Sequence, residues 1–562
     1  MPSLNSALNM GSRAMSASQR AVTTAGHNIA NQNTEGFSRQ QQSTQTAFPQ
    51  PNGIGNGTEP SPTTRVFDRF VQRKIVQETP RSGVFTTREE FFSKLELVFS
   101  EMSDSGLHRA MNDFWNSWSQ LANQPESDVV RTRVRDQGDT LATRFRERHA
   151  QLQSLRKEAD ARIQGAVNQI NNLAQQVKEL NRQIYSYEIS GHQANDARDA
   201  RELAVEKLSK LVDVNMIENS NGRTSVIIGR DWTLVEGDQV FELDATLRGG
   251  EAGMVSIDGI ATHDHRRDLT RSFRGGQMTE LIQMRDETIV GYMNQLDELA
   301  FGVAAKVNQP HATGTGISSA TDLLKSAYAL TPEARAQPMP FLQDGVFQLH
   351  LVDRDNSILE TYEIEVQAGV DSLEDIVKRI NQTVNDPNLL AASIGEDGSM
   401  FLESGQPRRF IFGDDQTAIT QVMGFNSFFE TLKGAADLRI SPRILEDPNA
   451  ISTGRDLIPG DNQVALAIAK LQNQPTMRDE TVTFGEYYNS ILGDIGLKVQ
   501  RNQVEKAQQD NMVQQFREIR SSISAVNMDE ELADMIQHQK AYEASARYVS
   551  TVDEMMQTLI NM

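Results

Sequence analysis

The chain has 562 residues, too many for one hydrophobic core, and its 38% apolar and 23% charged content suits a globular protein of three or four domains with much helix. A formal net charge of −21 argues against nucleic acid and against anionic membrane surfaces, because both require a basic face. The absence of cysteine excludes disulfides, thiolate metal sites and cysteine nucleophiles together. The first thirty residues lack the apolar core of a secretory signal and no run approaches a membrane span, so membrane insertion is not expected.

Taken in chain order, the first element is an amphipathic helix. Leu4, Leu8, Gly11, Met15, Ser18, Val22, Ala25 and Ile29 step by fours and threes, which keeps one stripe facing a partner. One column of that stripe is small after Leu4 (Gly11, Ser18, Ala25) and the other is large (Leu8, Met15, Val22, Ile29). Small residues let a neighbouring backbone approach but bury little area, so this helix is marginal alone. The segment from His27 to Arg39 is rich in Asn and Gly, as expected where a helix ends and an extended stretch begins. Gln40 to Pro62 reads as a mobile loop, and helical spacing resumes from Val66 to Phe99.

A helical block follows. Leu107, Met111, Phe114, Trp118 and Leu121 form one face, and a long rod is predicted to run to about Ile189, ended by Gly191. A return helix spans Asp196 to Val214. Thr224 to Leu243 shifts to β-branched and aromatic residues with two turn signals, as in a small sheet. Helix returns from Met278 to Val307. Between about 320 and 440 the alternation of Phe347, Leu349, Leu351 and of Tyr362, Ile364, Val366, the capping box at Ser372–Asp375 and the Asp397-Gly398 turn indicate an inserted α+β domain. A helix from Phe484 to Val526 is weakly apolar in its middle, where Asn502, Lys506 and Gln509 fall on the stripe.

The last element mirrors the first. Leu532, Met535, Gln539, Tyr542, Ala546, Val549, Val552, Met556 and Leu559 form a second stripe, and the two helices are rods of roughly 39 and 42 Å at ~1.5 Å per residue. Residues 1–80 hold seven basic against four acidic side chains, and residues 501–562 hold six against ten, a mild bias toward pairing. The two ends are expected to lie side by side and antiparallel, as in a protein built to polymerise. Asp529-Glu530-Glu531 is read as an acidic start that complements the helix dipole.

Catalytic signatures are not found. No phosphate-binding loop, nucleophile elbow or zinc-protease motif occurs, and His263-Asp264-His265 lacks a further ligand nearby. Trp115 and Trp118 are read as bundle core. The expectation is a non-enzyme with no cofactor and no metal.

Asn5 to Arg39, and above all Asn28, Ala30, Asn31, Thr34, Gly36, Phe37, Ser38 and Arg39, resembles the N-terminal signature of bacterial flagellar axial proteins. Met528 to Ile536 and Gln539 to Arg547 resemble the matching C-terminal signature. Interior stretches, Asp196-Ala197-Arg198-Asp199, Gly275-Gly276 with Met284-Arg285-Asp286, Tyr292 to Ala300, Asn308, His311 and Gly314, and Gly424 to Phe429, are similar to the flagellar hook-associated protein 1 family. The resemblance implies a structural subunit, forming a ring with copies of itself at the hook–filament junction, between the hook protein and the third hook-associated protein. It also implies flagellar type III export and an extracellular location, with terminal helices that order on assembly. An export chaperone would hold the C-terminal helix through Leu532, Met535, Tyr542, Ala546, Val549, Val552, Met556 and Leu559, and Leu4, Leu8, Met15, Val22 and Ile29 would carry assembly at the other end. The hook protein, the third hook-associated protein, flagellin and, from another class, a coiled-coil scaffold are the alternatives.

The expected fold is mainly α with β insertions, elongated and multidomain. Residues 1–65 plus 527–562 form the terminal coiled-coil assembly region, and 66–215 plus 275–318 plus 445–526 a helical bundle. Residues 216–274 form a small β region and 319–444 the inserted α+β domain.

Overall fold

The computed structural model describes residues 4–47, 56–100, 106–219, 222–247, 253–262 and 265–561. It is mainly helical with several small antiparallel sheets, and it divides into two compact units. The first comprises Met1–Phe91, Lys157–Asp286 and Val499–Met562; the second comprises Phe92–Arg156 and Glu287–Lys498. Within the described residues no helix is long and apolar enough to cross a membrane.

The first unit contains both chain ends. Its N-terminal helix (Leu4–Ala30) and C-terminal helix (Met528–Ile560) lie together, antiparallel, with Gly11 against Val549 and Asn28 against Glu531. The long helix (Asp128–Glu188) stops just before Gly191, whose positive φ of 80° turns the chain toward the return helix (Asn195–Leu211). Val214–Glu218, Thr224–Ile228, Trp232–Glu236 and Gln239–Val240 make a four-stranded meander in sequence order. Asn181 of the long helix pins this sheet: its amide donates to the carbonyls of Thr224 and Gly237 and its oxygen accepts from the Thr224 N–H. Asp160 similarly accepts from the Val255 N–H and from Arg285, which sits in a π-helical turn, Met284–Thr288.

The motif glycine Gly276 has φ 82°, and a Cβ there would lie 2.5 Å from the Leu211 backbone. Only glycine allows that approach. The segment Gln40 to Pro62 is not a plain loop. Thr44–Thr46 pairs with Thr58–Pro60, and Gln40–Gln41 pairs with Thr64–Arg65, while Gly53 and Gly55 lie outside the described residues.

The second unit is centred on aromatic packing. Trp115 stacks on Phe484 with centroids 5.8 Å apart, and Phe114 and Trp118 meet Phe428, all buried. His311 is fully buried there. Its Nδ1–H donates to the Asn426 carbonyl (2.7 Å) and its Nε2 accepts from the Ser452 N–H (3.0 Å), an arrangement that requires the neutral ring. Asn308 accepts from the N–H groups of Phe428 and Phe429 and donates to the Phe429 carbonyl. The matched Asn, His and aromatic run are therefore one packed knot.

Residues 323–415 form two three-stranded sheets, ordered 358–366, 345–352, 409–415 and 323–329, 399–404, 390–394, which share a core with the helix Leu373–Val384. That helix opens with a complete capping box, in which Ser372 and Asp375 satisfy each other's N–H groups.

Candidate assembly interface

The N-terminal helix buries its small side chains. Ser6, Gly11, Ala17, Ser18, Ala21, Ala25 and Asn28 are covered, whereas Leu4, Leu8, Met15, Val22 and Ile29 remain half-exposed. A Cβ on Gly11 would fall 2.5 Å from Val549 Cγ2 and 3.1 Å from Tyr548 Cδ1, so glycine here sets how closely the two helices approach. The larger column is left free to make contacts beyond the pair.

The C-terminal helix is less covered still. Val552 and Glu531 are its two buried residues. Of the stripe read from the sequence, Met535, Ala546, Val549 and Met556 are half-buried; Leu532, Tyr542 and Leu559 are exposed. Ile536, Tyr548, Met555 and Ile560 add to the uncovered apolar surface.

The two buried residues are three heptads apart, which puts a carboxylate on the pairing seam. Glu531 accepts from the Asn28 amide (2.9 Å) and from Arg39 Nε (2.6 Å), and Arg39 also reaches Glu530 and Asp534 at 3.5 and 3.4 Å. Asn28 is fixed by a second exchange, donating to the Gln40 carbonyl and accepting from the Gln40 N–H. The Arg39 N–H donates to the Ser524 carbonyl. This polar clasp ties the first helix, the chain that follows it and the last helix into one register. Glu531 therefore does more than complement a helix dipole.

The rest of the signature builds the turn that delivers Arg39. Ala30 ends the helix and is exposed; Asn31 donates to the His27 carbonyl and accepts from Thr34 Oγ1. Gly36 has φ 82° and abuts Leu203, and Phe37 stands edge-on to His27 at 5.5 Å. Ser38 then donates twice, from N–H and Oγ, to Asp199 on the return helix. Asp199 and Glu202 also receive Arg65, at 2.5 and 3.0 Å. Burial pushes both carboxyls above the usual range, with Arg65 opposing the shift. Arg517 and Arg520 of the helix Phe484–Ser524 close on Glu206 at 2.8 Å each.

Asn28, Asn31, Gly36, Phe37 and Arg39 were legible as a motif, but their partners were not. Glu531 and Asp199 stood only as members of matched stretches, and Gln40 and Arg65 were given no role, because the pairings of all four are made by the fold. Glu531 carried a further signal, its place in the heptad column of Val552.

Three known families match along the chain: the flagella basal body rod protein family over residues 8–37, the flagellar hook-associated protein FlgK helical domain over 92–323, and the flagellar basal body rod FlgEFG protein C-terminal family over 520–562. The flagellar hook-associated protein 1 of Escherichia coli is 26% identical over the whole of both chains, and that of Bacillus subtilis 24% identical over 99% of this chain and 97% of its own. Over its whole length this chain is similar to flagellar hook-associated protein 1. The flagellar hook junction protein FlgK from Burkholderia pseudomallei, 18% identical, has a related fold, with a TM-score of 0.53 over 80% of this chain and all of that one. On these matches the chain is a structural subunit of the flagellar axis. Its two terminal matches coincide with the helices that form the clasp.

Proposed function

We propose that the protein polymerises through its terminal helices into a ring at the hook–filament junction, contacting the hook protein on one side and the third hook-associated protein on the other. It reaches that site through the flagellar type III export channel, with an export chaperone covering Leu532 to Leu559 until assembly.

The observation that carries this reading is the apolar surface left on the C-terminal helix. Leu532, Ile536, Tyr548, Met555, Leu559 and Ile560 are 38%, 55%, 44%, 57%, 65% and 78% exposed. Covering each would contribute on the order of 1 kcal/mol, about half the value of full burial of an apolar side chain. The small column of the N-terminal helix cannot supply that cover, so neighbours in the polymer do.

Amide hydrogen exchange on the free protein and on protein incorporated into hooks tests this directly. Residues 4–30 and 528–561 should exchange fast when free and become protected on incorporation. Equal protection in both states would refute assembly through the ends and favour a preformed coiled-coil scaffold.

A further inference from the structure

The first unit carries a cavity of about 540 Å³ outside the terminal clasp. One side is the strand Val214–Glu218, all five of whose residues line it and which is the edge of its four-stranded sheet. Facing it are residues 65–77, at the start of the helix Arg69–Val98, and the return helix. An edge strand presents a row of backbone N–H and C=O groups that an extended chain can join.

The walls are unusual for a chain of net charge −21. Arg65, Arg69, Arg73, Arg198 and Arg201 line the cavity against two carboxylates, Glu202 and Glu218. Glu218 is shared by three of these arginines: Arg198 at 2.6 Å, Arg201 at 3.5 Å and Arg69 at 3.8 Å. Arg73 is exposed and pairs with no carboxylate among the described residues. Arg201 is 1% exposed; Nη1 is held by Asn181 Oδ1 and the Gly222 carbonyl, but its Nε is buried without a hydrogen-bond partner among the described residues. Such a group is costly to leave unmade. Phe67, Val76 and Met216 supply apolar wall between the charges.

We propose that this groove docks an extended acidic peptide segment of another protein chain, which adds as a strand to the Val214–Glu218 edge and sets its carboxylates against Arg69 and Arg73. Strand addition supplies affinity through the main chain, and the arginines select acidic side chains at alternate positions. This site is separate from the exposed face of the C-terminal helix and does not depend on how that face is covered.

The test uses the full chain and a capped, fluorescently labelled peptide alternating Asp or Glu with Thr or Val, with a Lys-substituted peptide as control. Saturable binding of the acidic peptide alone is expected, weakened about tenfold per charge lost in Arg69→Glu and Arg73→Glu. Both arginines are exposed, so the variants should keep the wild-type circular dichroism spectrum. Peptides methylated at odd or at even backbone nitrogens separate strand addition from charge attraction: one pattern should abolish binding and the other leave it. Equal binding of the lysine control, unchanged binding by both arginine variants, or survival of both methylation patterns would overturn the proposal. Displacement of the peptide by inorganic phosphate at low millimolar concentration would also overturn it, assigning the groove to a small oxyanion instead.

Discussion

Asn28 and Glu531 show how a polar side chain on an apolar seam fixes register. Either residue alone, buried between helices, would cost free energy through an unmet hydrogen bond. Together with Arg39 and Gln40 they satisfy one another, and a slip of one turn, about 5.4 Å, would part Asn28 from Glu531. Glu531→Ala should therefore destabilise the terminal helix pair by about 1–3 kcal/mol, the range for a charge-assisted contact that is partly open to water. Faster amide exchange at residues 28–40 in protein incorporated into hooks, with no change in the second unit, is the expected readout. Glu531→Gln keeps an acceptor for Asn28 and should fall between. The turn residues Asn31, Thr34 and Gly36 were readable in the sequence because their chemistry is local: a helix end, a side-chain cap and a positive φ. Asn28 and Arg39 were readable only as members of a pattern, since what they bind lies about five hundred residues away.

At the scale of the element, the N-terminal helix has two apolar columns and uses them differently. The small one sits against the C-terminal helix and the large one stays partly open. Gly11 is the test of that division. A leucine there has no room beside Val549 and Tyr548, and overpacking of this kind costs about 1–3 kcal/mol. Gly11→Leu should separate the pair and lose assembly, measured as filament attachment to hooks. Gly11→Ala gains about 1 kcal/mol of helix propensity, but its Cβ falls 2.5 Å from Val549 Cγ2, so it should lose part of the attachment that Gly11→Leu abolishes. The helix Phe484–Ser524 teaches a related lesson. Its weakly apolar middle is not a defect in the stripe, because Asn502 and Gln509 are buried and donate to the Phe85 and Glu78 carbonyls of the helix Arg69–Val98, which carries Pro80 in its interior. Periodicity alone registers such residues as interruptions.

Across the whole molecule, acid should act on the second unit through His311. Burial lowers its pKa from the ordinary 6.5 to about 4, so the unfolded chain takes a proton where the folded chain does not. The neutral ring contributes stability above pH 6.5, and that contribution falls as the pH drops toward 4, by about 3 kcal/mol in all. Denaturant midpoints measured between pH 7 and pH 4 should show this loss, and His311→Gln should flatten that part of the profile while lowering stability at neutral pH. The terminal helices take no part in the second unit, so variants of the clasp should leave this profile unchanged.

The sequence by itself determined whatever depends on neighbours within a few turns. The terminal stripes, the long helix and its glycine stop, the meander turns, the capping box at Ser372 and the helix-ending motif all follow from periodicity, capping and backbone freedom, which are short-range. Only the tertiary structure decided which column of the N-terminal helix is covered, that Glu531 belongs to a clasp, that Ser38 and Arg65 meet on Asp199, and that five arginines line an open sheet edge. Those outcomes depend on which distant surfaces come together, and a buried charge looks the same in sequence as a solvated one until its partner is known.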